Sequence, residues 1–196
     1  MKTVSLRPLL LLCAMFAVSS AVVFAVAPAA RAQVNLLQGD KLIEATKTND
    51  AKTAEELLAR GHDPNVTDEN RRTALMLAAA SGYDEIVRLL LRYRAGVNSV
   101  DKFGNAALYY AAAGDNVGAL RAMLDAGADI DTANRQGATP LMIAAAEGHL
   151  AAVQVLIDRK ADLEATDFTG RTVQDWARRN NRSAVIRVLD RAAKGR

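Results

Sequence analysis

Few side chains in this sequence could give it a chemistry of its own: His62 and His149, the lone Cys13, and two close carboxylate pairs, Asp129 with Asp131 and Asp162 with Glu164. Histidines within reach of each other would suggest a metal site, and a paired carboxylate would suggest general acid–base work. His62 and His149 fall in distant segments, too far apart to share a metal. The carboxylate pairs repeat the spacing of Asp63 and Asn65, which marks them as turn residues, because short acidic and amide side chains bond their own backbone two residues on. No serine stands in a nucleophile-elbow setting beside a histidine and an acid, and the glycines follow no phosphate-loop spacing. Asn65-Val66-Thr67 and Asn181-Arg182-Ser183 match the glycosylation tripeptide, a pattern short enough to arise by accident. The expectation is a chain that is no enzyme and holds no metal or cofactor.

What organises the sequence is a period. Rows of 33 residues place Asp68, Asp101, Asn134 and Asp167 in one column with no insertion or deletion. The same rows align Leu75, Leu108 and Leu141, then the pairs Ala78-Ala79, Ala111-Ala112 and Ala144-Ala145. Farther along, Val87, Leu120, Val153 and Ile186 share a column, followed by Leu90-Leu91, Met123-Leu124 and Leu156-Ile157. A fixed period of this length means a solenoid. Alanine pairs let two helices approach closely, while leucine pairs fill the space between neighbouring units. Thr73, Thr139 and Thr172 stand where a hydroxyl can accept from free amides at a helix start, and Pro140 fits the following position. Gly104, Gly137 and Gly170 stand where a turn tip needs a positive φ.

The best row, Asn134 to His149 followed by Leu150 to Ile157, resembles the ankyrin repeat, with His149 in the column where such repeats usually carry histidine. The resemblance implies an all-α solenoid of about five helix-turn-helix units with projecting turns. The units are a capping unit at 33–67, repeats at 68–100, 101–133 and 134–166, and a C-terminal capping unit with a basic tail at 167–196. Several positions depart from the pattern. Arg71 replaces a turn glycine, Ala106 a capping threonine, and Arg94 and Lys160 the glycine that closes the second helix. Each departure is expected to cost roughly 1 kcal/mol.

The resemblance also implies recognition of a protein partner through the turn tips and the exposed edge of the first helices. In this sequence that face comprises Glu69, Asn70, Arg72 and Met76, then Lys102, Phe103, Asn105 and Tyr109. It continues through Arg135, Gln136, Met142 and Glu147 to Phe168 and Arg171. A phenylalanine on a turn tip has no core to fill, and aromatic anchors dominate interface energies. Tyr110 and Trp176, one column farther, are expected to face the core.

Composition, 51 % apolar and 24 % charged, is that of a folded domain. The net charge of +3 comes from 25 basic and 22 acidic side chains, but residues 1–32 hold Lys2, Arg7 and Arg31 and no acid, so the remainder is balanced. That start, with an apolar run from Leu9 to Val26 and then Ala30-Arg31-Ala32, has the pattern of a cleaved signal peptide. Export to the periplasm after cleavage near Ala32 is expected, and an uncleaved inner-membrane anchor supporting a scaffold is the alternative. The released chain would contain no cysteine, which excludes disulfides and thiolate chemistry from it. Residues 171–196 carry eight basic and two acidic side chains, a balance of +6 that allows weak contact with an anionic membrane. An exported chain without net positive charge is not expected to bind nucleic acid. The chain resembles small exported bacterial ankyrin proteins, some linked to catalase function and peroxide resistance and others to toxin neutralisation. A monomer that binds one protein partner is expected.

Overall fold

The computed structural model describes residues 41–194, so the signal segment, its cleavage site and Arg196 lie outside the described residues. Helices occur in pairs. A helical run at 41–47 (α1) precedes α2 (Ala51–Ala59), and the next pairs are α3 (Ala74–Ser81) with α4 (Asp84–Arg92) and α5 (Ala107–Ala113) with α6 (Val117–Asp125). They are followed by α7 (Pro140–Glu147) with α8 (Leu150–Asp158) and α9 (Val173–Arg179) with α10 (Ser183–Lys194). First helices stack on one another in the order α3, α5, α7, α9, and second helices stack as α2, α4, α6, α8, α10. This is the expected all-α solenoid.

The core runs along the seam between the two layers. The alanine pairs at 78–79, 111–112 and 144–145 are fully buried, and so are Leu75, Leu108, Leu141, Leu90, Leu120 and Leu156. Burying a leucine stabilises by about 1.5–3 kcal/mol, so continuity of these columns holds the stack together. Thr73, Thr139 and Thr172 cap their helices by accepting from Met76 N, Met142 N and Asp175 N at 3.2, 3.3 and 3.4 Å. Pro140 takes the first helical position of α7. Ala106 adopts the same extended backbone as the threonines but supplies no cap.

Left-handed backbone recurs in three columns of the same period. One lies at the turn tips, where Gly104, Gly137 and Gly170 have φ of 83°, 80° and 78° and Arg71 has 59°. A second closes the second helices at Gly61, Arg94, Gly127 and Lys160. The third closes the first helices at Asn49, Gly82, Asp115, Gly148 and Asn181. Arg71, Arg94 and Lys160 therefore keep the conformation of the glycine they replace, at a cost of about 1 kcal/mol each.

Candidate partner-binding face

Each turn between units is a short hairpin organised by the residue that opens it. Asp68 N, Asp101 N, Asn134 N and Asp167 N donate to Arg72 O, Asn105 O, Ala138 O and Arg171 O at 2.9–3.1 Å. The opening side chain then turns inward and collects the amides of the tip. Asp101 accepts from Phe103 N, Asn105 N and the Tyr110 hydroxyl at 2.8, 2.9 and 2.6 Å. Asn134 accepts from Gln136 N and Ala138 N at 2.9 and 3.0 Å, and its amide donates to Asn105 Oδ1 at 2.9 Å. Asp68 accepts from Asn70 N and Arg72 N and pairs with the Arg72 guanidinium at 2.7 Å. Asp167, only 4 % exposed, accepts from Thr169 N and Oγ1, Arg171 N and Nε, and Trp176 Nε1. Its ion pair with Arg171 Nη2 is 2.8 Å long.

These environments set the charges. Burial on its own pushes the Asp167 carboxyl up, but the hydrogen bonds from Thr169 and Arg171 together outweigh it and hold the group well below the usual carboxylate range. Asp68 is lowered in the same way, burial opposing and the donors of Arg72 and Asn70 prevailing. Burial, and then the hydrogen bond to Asp101, push the Tyr110 phenol up to about 12. Burial also raises Tyr109, helped by the charges of Glu147 and Asp101. Both phenols therefore stay protonated as donors at neutral pH.

Adjacent hairpins are joined along their tips. Lys102 N donates to Asn70 O at 3.2 Å, Arg135 N to Phe103 O at 3.0 Å and Phe168 N to Gln136 O at 3.1 Å. The tips thus form one connected row whose shape is fixed before any partner arrives, which reduces the ordering cost of binding. Between the second and third hairpins lies a pocket of about 240 Å³ lined by Lys102, Phe103, Asn105, Tyr109, Asn134, Arg135 and Gln136.

The structure sorts the residues expected on this face. Glu69, Lys102, Phe103, Arg135, Gln136, Glu147 and Phe168 are exposed, and Asn70, Arg72, Asn105, Tyr109 and Arg171 are half-buried. Met76 and Met142 are corrections: each is 1 % exposed and belongs to the core, so neither can meet a partner. Their column borders the core, and an unbranched apolar chain gains more by burial than by exposure. Tyr109, in the same column, is half-buried and lines the pocket beside Asn105 and Arg135. Arg72 and Arg171 are spent largely on Asp68 and Asp167. Tyr110 and Trp176 are half-buried, and their polar ends reach the hairpin carboxylates Asp101 and Asp167. A donor nine residues after the hairpin aspartate was the available sequence signal for this pairing.

His149 and the acidic pairs have structural partners. His149 Nε2 lies 2.9 Å from Ala113 O. Asn116 Nδ2 and Arg182 Nε, in the same column, bond Ala79 O and Ala146 O at 2.7 and 2.8 Å. All three meet a carbonyl of the preceding first helix. His62 is half-buried in its turn. Asp129 and Asp162 accept from the backbone two residues on, Asp131 N and Glu164 N, while Asp131 accepts from Asp162 N of the next unit. Among the described residues, no group of three or more His, Cys, Asp or Glu side chains is placed to hold a metal ion. None of the described helices is long and apolar enough to cross a membrane. A larger open groove, about 890 Å³, runs between α4 and α6, where Glu85 and Asp125 stand beside Arg88, Arg92 and Arg121 with no aromatic side chain to act as an anchor.

The family model described as ankyrin repeats (3 copies) matches residues 42–134 and, in a second match, 118–194. Ankyrin repeats generally mediate protein–protein interaction, and proteins built from them are typically non-enzymatic. Paired helices, hairpins of fixed period and a match spanning most of the sequence agree, and the chain belongs to the ankyrin-repeat family.

Proposed function

We propose that this protein is a non-catalytic binding module of a bacterial cell envelope, exported by residues 1–32, released by cleavage after Ala32, and built to capture a protein partner on its hairpin-tip face. The observation that carries the reading is the exposure of two aromatic side chains on that row, Phe103 at 55 % and Phe168 at 78 %. Large apolar side chains held out on rigid tips bury little of their surface on folding, and in interfaces such anchors supply most of the affinity.

The test is crosslinking in living cells followed by mass spectrometry, comparing wild type with Phe103→Ala/Phe168→Ala. The double variant is expected to keep its helical circular dichroism and lose an envelope protein that wild type captures. Identity of that protein then separates a role beside catalase in peroxide resistance from toxin neutralisation. Equal capture by both forms contradicts the assignment of the face.

A tethered scaffold is the second reading. It is favoured by the exposed cations Arg179, Arg187, Arg191 and Lys194 at the C-terminal end, suited to an anionic membrane surface. An N-terminus at Gln33 supports release, whereas one at Met1 supports the tether.

A further inference from the structure

The pocket between the second and third hairpins has an unusual charge. Of its lining side chains two are ionised at neutral pH, Lys102 and Arg135, and both are cationic. In the first and fourth hairpins one arginine is neutralised from within, Arg72 by Asp68 and Arg171 by Asp167, and the further cation at the first tip, Arg71, lies outside this pocket. In the second hairpin, Asn105 stands where those arginines stand, and Asp101 is satisfied instead by backbone amides and the Tyr110 hydroxyl. In the third, Asn134 replaces the aspartate and needs no counter-charge. Among the described residues, Lys102 and Arg135 are therefore left without a carboxylate.

Lys102 is also held in place by neutral groups. Its Nζ bonds Asn70 Oδ1 and sits 5.0 Å from the centre of the Phe103 ring. Neither contact removes its charge. Arg135 is exposed, and its guanidinium makes no ion pair or hydrogen bond with the described residues. Tyr109, kept protonated by burial and the neighbouring carboxylates, adds a phenolic donor to the same lining. Asp101 is turned inward and fully engaged, and Glu147 ends α7 outside the lining.

The geometry points to this pocket as the seat for a carboxylate side chain of an acidic protein segment, with an apolar neighbour of that carboxylate packed on Phe103. The inference rests on the hairpin tips being the binding face. A planar guanidinium can take a carboxylate through two parallel bonds, and charge-assisted hydrogen bonds are about twice as strong as neutral ones. The cavity, about 240 Å³, has room for one side chain and not for a folded element.

The probe is a displayed library of random peptides selected on the purified protein. Selected peptides are expected to share an Asp or Glu beside an apolar residue, and to bind more weakly as salt rises. Lys102→Glu and Arg135→Glu should each reduce their binding by about tenfold, and selection on the double reversal should yield Lys or Arg at the shared position. Arg179→Glu/Arg187→Glu, at the far end of the stack, is the control for general attraction and should leave binding unchanged.

Four results overturn the proposal, and they differ in what else they remove. Peptides lost with Phe103→Ala/Phe168→Ala but indifferent to Lys102→Glu/Arg135→Glu would leave the face intact and remove the carboxylate seat. Equal losses from the Arg179→Glu/Arg187→Glu control would reduce the effect to net charge. Failure to enrich any peptide would exclude a short acidic segment, leaving a folded partner to the crosslinking test. Peptides indifferent to every tip substitution would remove the tip face itself.

Discussion

Replacing Asp167 with alanine is expected to destabilise the C-terminal unit by about 3 kcal/mol, because one buried carboxylate organises everything around it. Its removal leaves the Trp176 indole, the Thr169 and Arg171 amides and the Arg171 guanidinium without their shared acceptor. Solenoid stability is approximately a sum over units and interfaces, so the last unit should melt ahead of the rest. Trp176 is the chain's only tryptophan and lies in that unit, so its fluorescence reports the early transition during urea unfolding. The effect has a pH signature. Asp167's folded pKa lies below its unfolded value of about 3.9, so the carboxylate's contribution is complete above that value and is lost as pH falls toward the folded pKa. The difference between wild type and Asp167→Ala should stay flat from about pH 7 to about pH 5 and shrink below about pH 4. Coincident Trp176 transitions for the two proteins at neutral pH would contradict this account.

Gly137→Ala is expected to cost about 2–3 kcal/mol, more than a left-handed residue alone would explain. The φ of Gly137 is 80°, and a Cβ there would lie 2.6 Å from Phe168 N and 2.9 Å from Asp167 Cα. Those are backbone atoms of the next hairpin, which cannot swing aside as a side chain would. The third and fourth tips must part, weakening the bond from Phe168 N to Gln136 O that joins them. Gly170→Ala is the comparison, since its φ is 78° but nothing lies within 4 Å of its Cβ position. Its cost should be only about 1 kcal/mol. Urea unfolding of both variants measures the gap, and faster amide exchange at Phe168 in Gly137→Ala alone would locate it. Equal losses would mean that contact between hairpins contributes little.

The hairpins and helix pairs were legible because their causes are local and periodic. A column of Asp or Asn, three helix-capping threonines and a tip glycine each act within one turn, and the 33-residue spacing repeats them. Contacts between units were harder to read. Period assigns Met76, Tyr109 and Met142 to one column, but whether a side chain there is drawn into the core depends on its chemistry and on the neighbouring helix. The Tyr110 and Trp176 donors were hidden for a similar reason, since an aromatic ring at a core-facing column reads as filling when its polar end is what fixes the hairpin. The left-handed closure at Gly82, Asp115 and Gly148 went unread because glycine and aspartate share little apart from tolerance of that conformation. The carboxylate-free pocket needs pairing information: Arg72 and Arg171 look as available as Arg135 until their ion pairs are seen.

The central claim is that a protein partner meets the hairpin tips and not the helical flank. A photoreactive residue placed at Phe103 or Phe168, and in separate strains at Arg88 or Arg121 in the groove between α4 and α6, tests it directly in living cells. Crosslinks to one envelope protein from both tip positions, and none from the groove positions, are the predicted result. Crosslinks from Arg88 and Arg121 with none from the tips would contradict the claim and move the binding surface to the second helices.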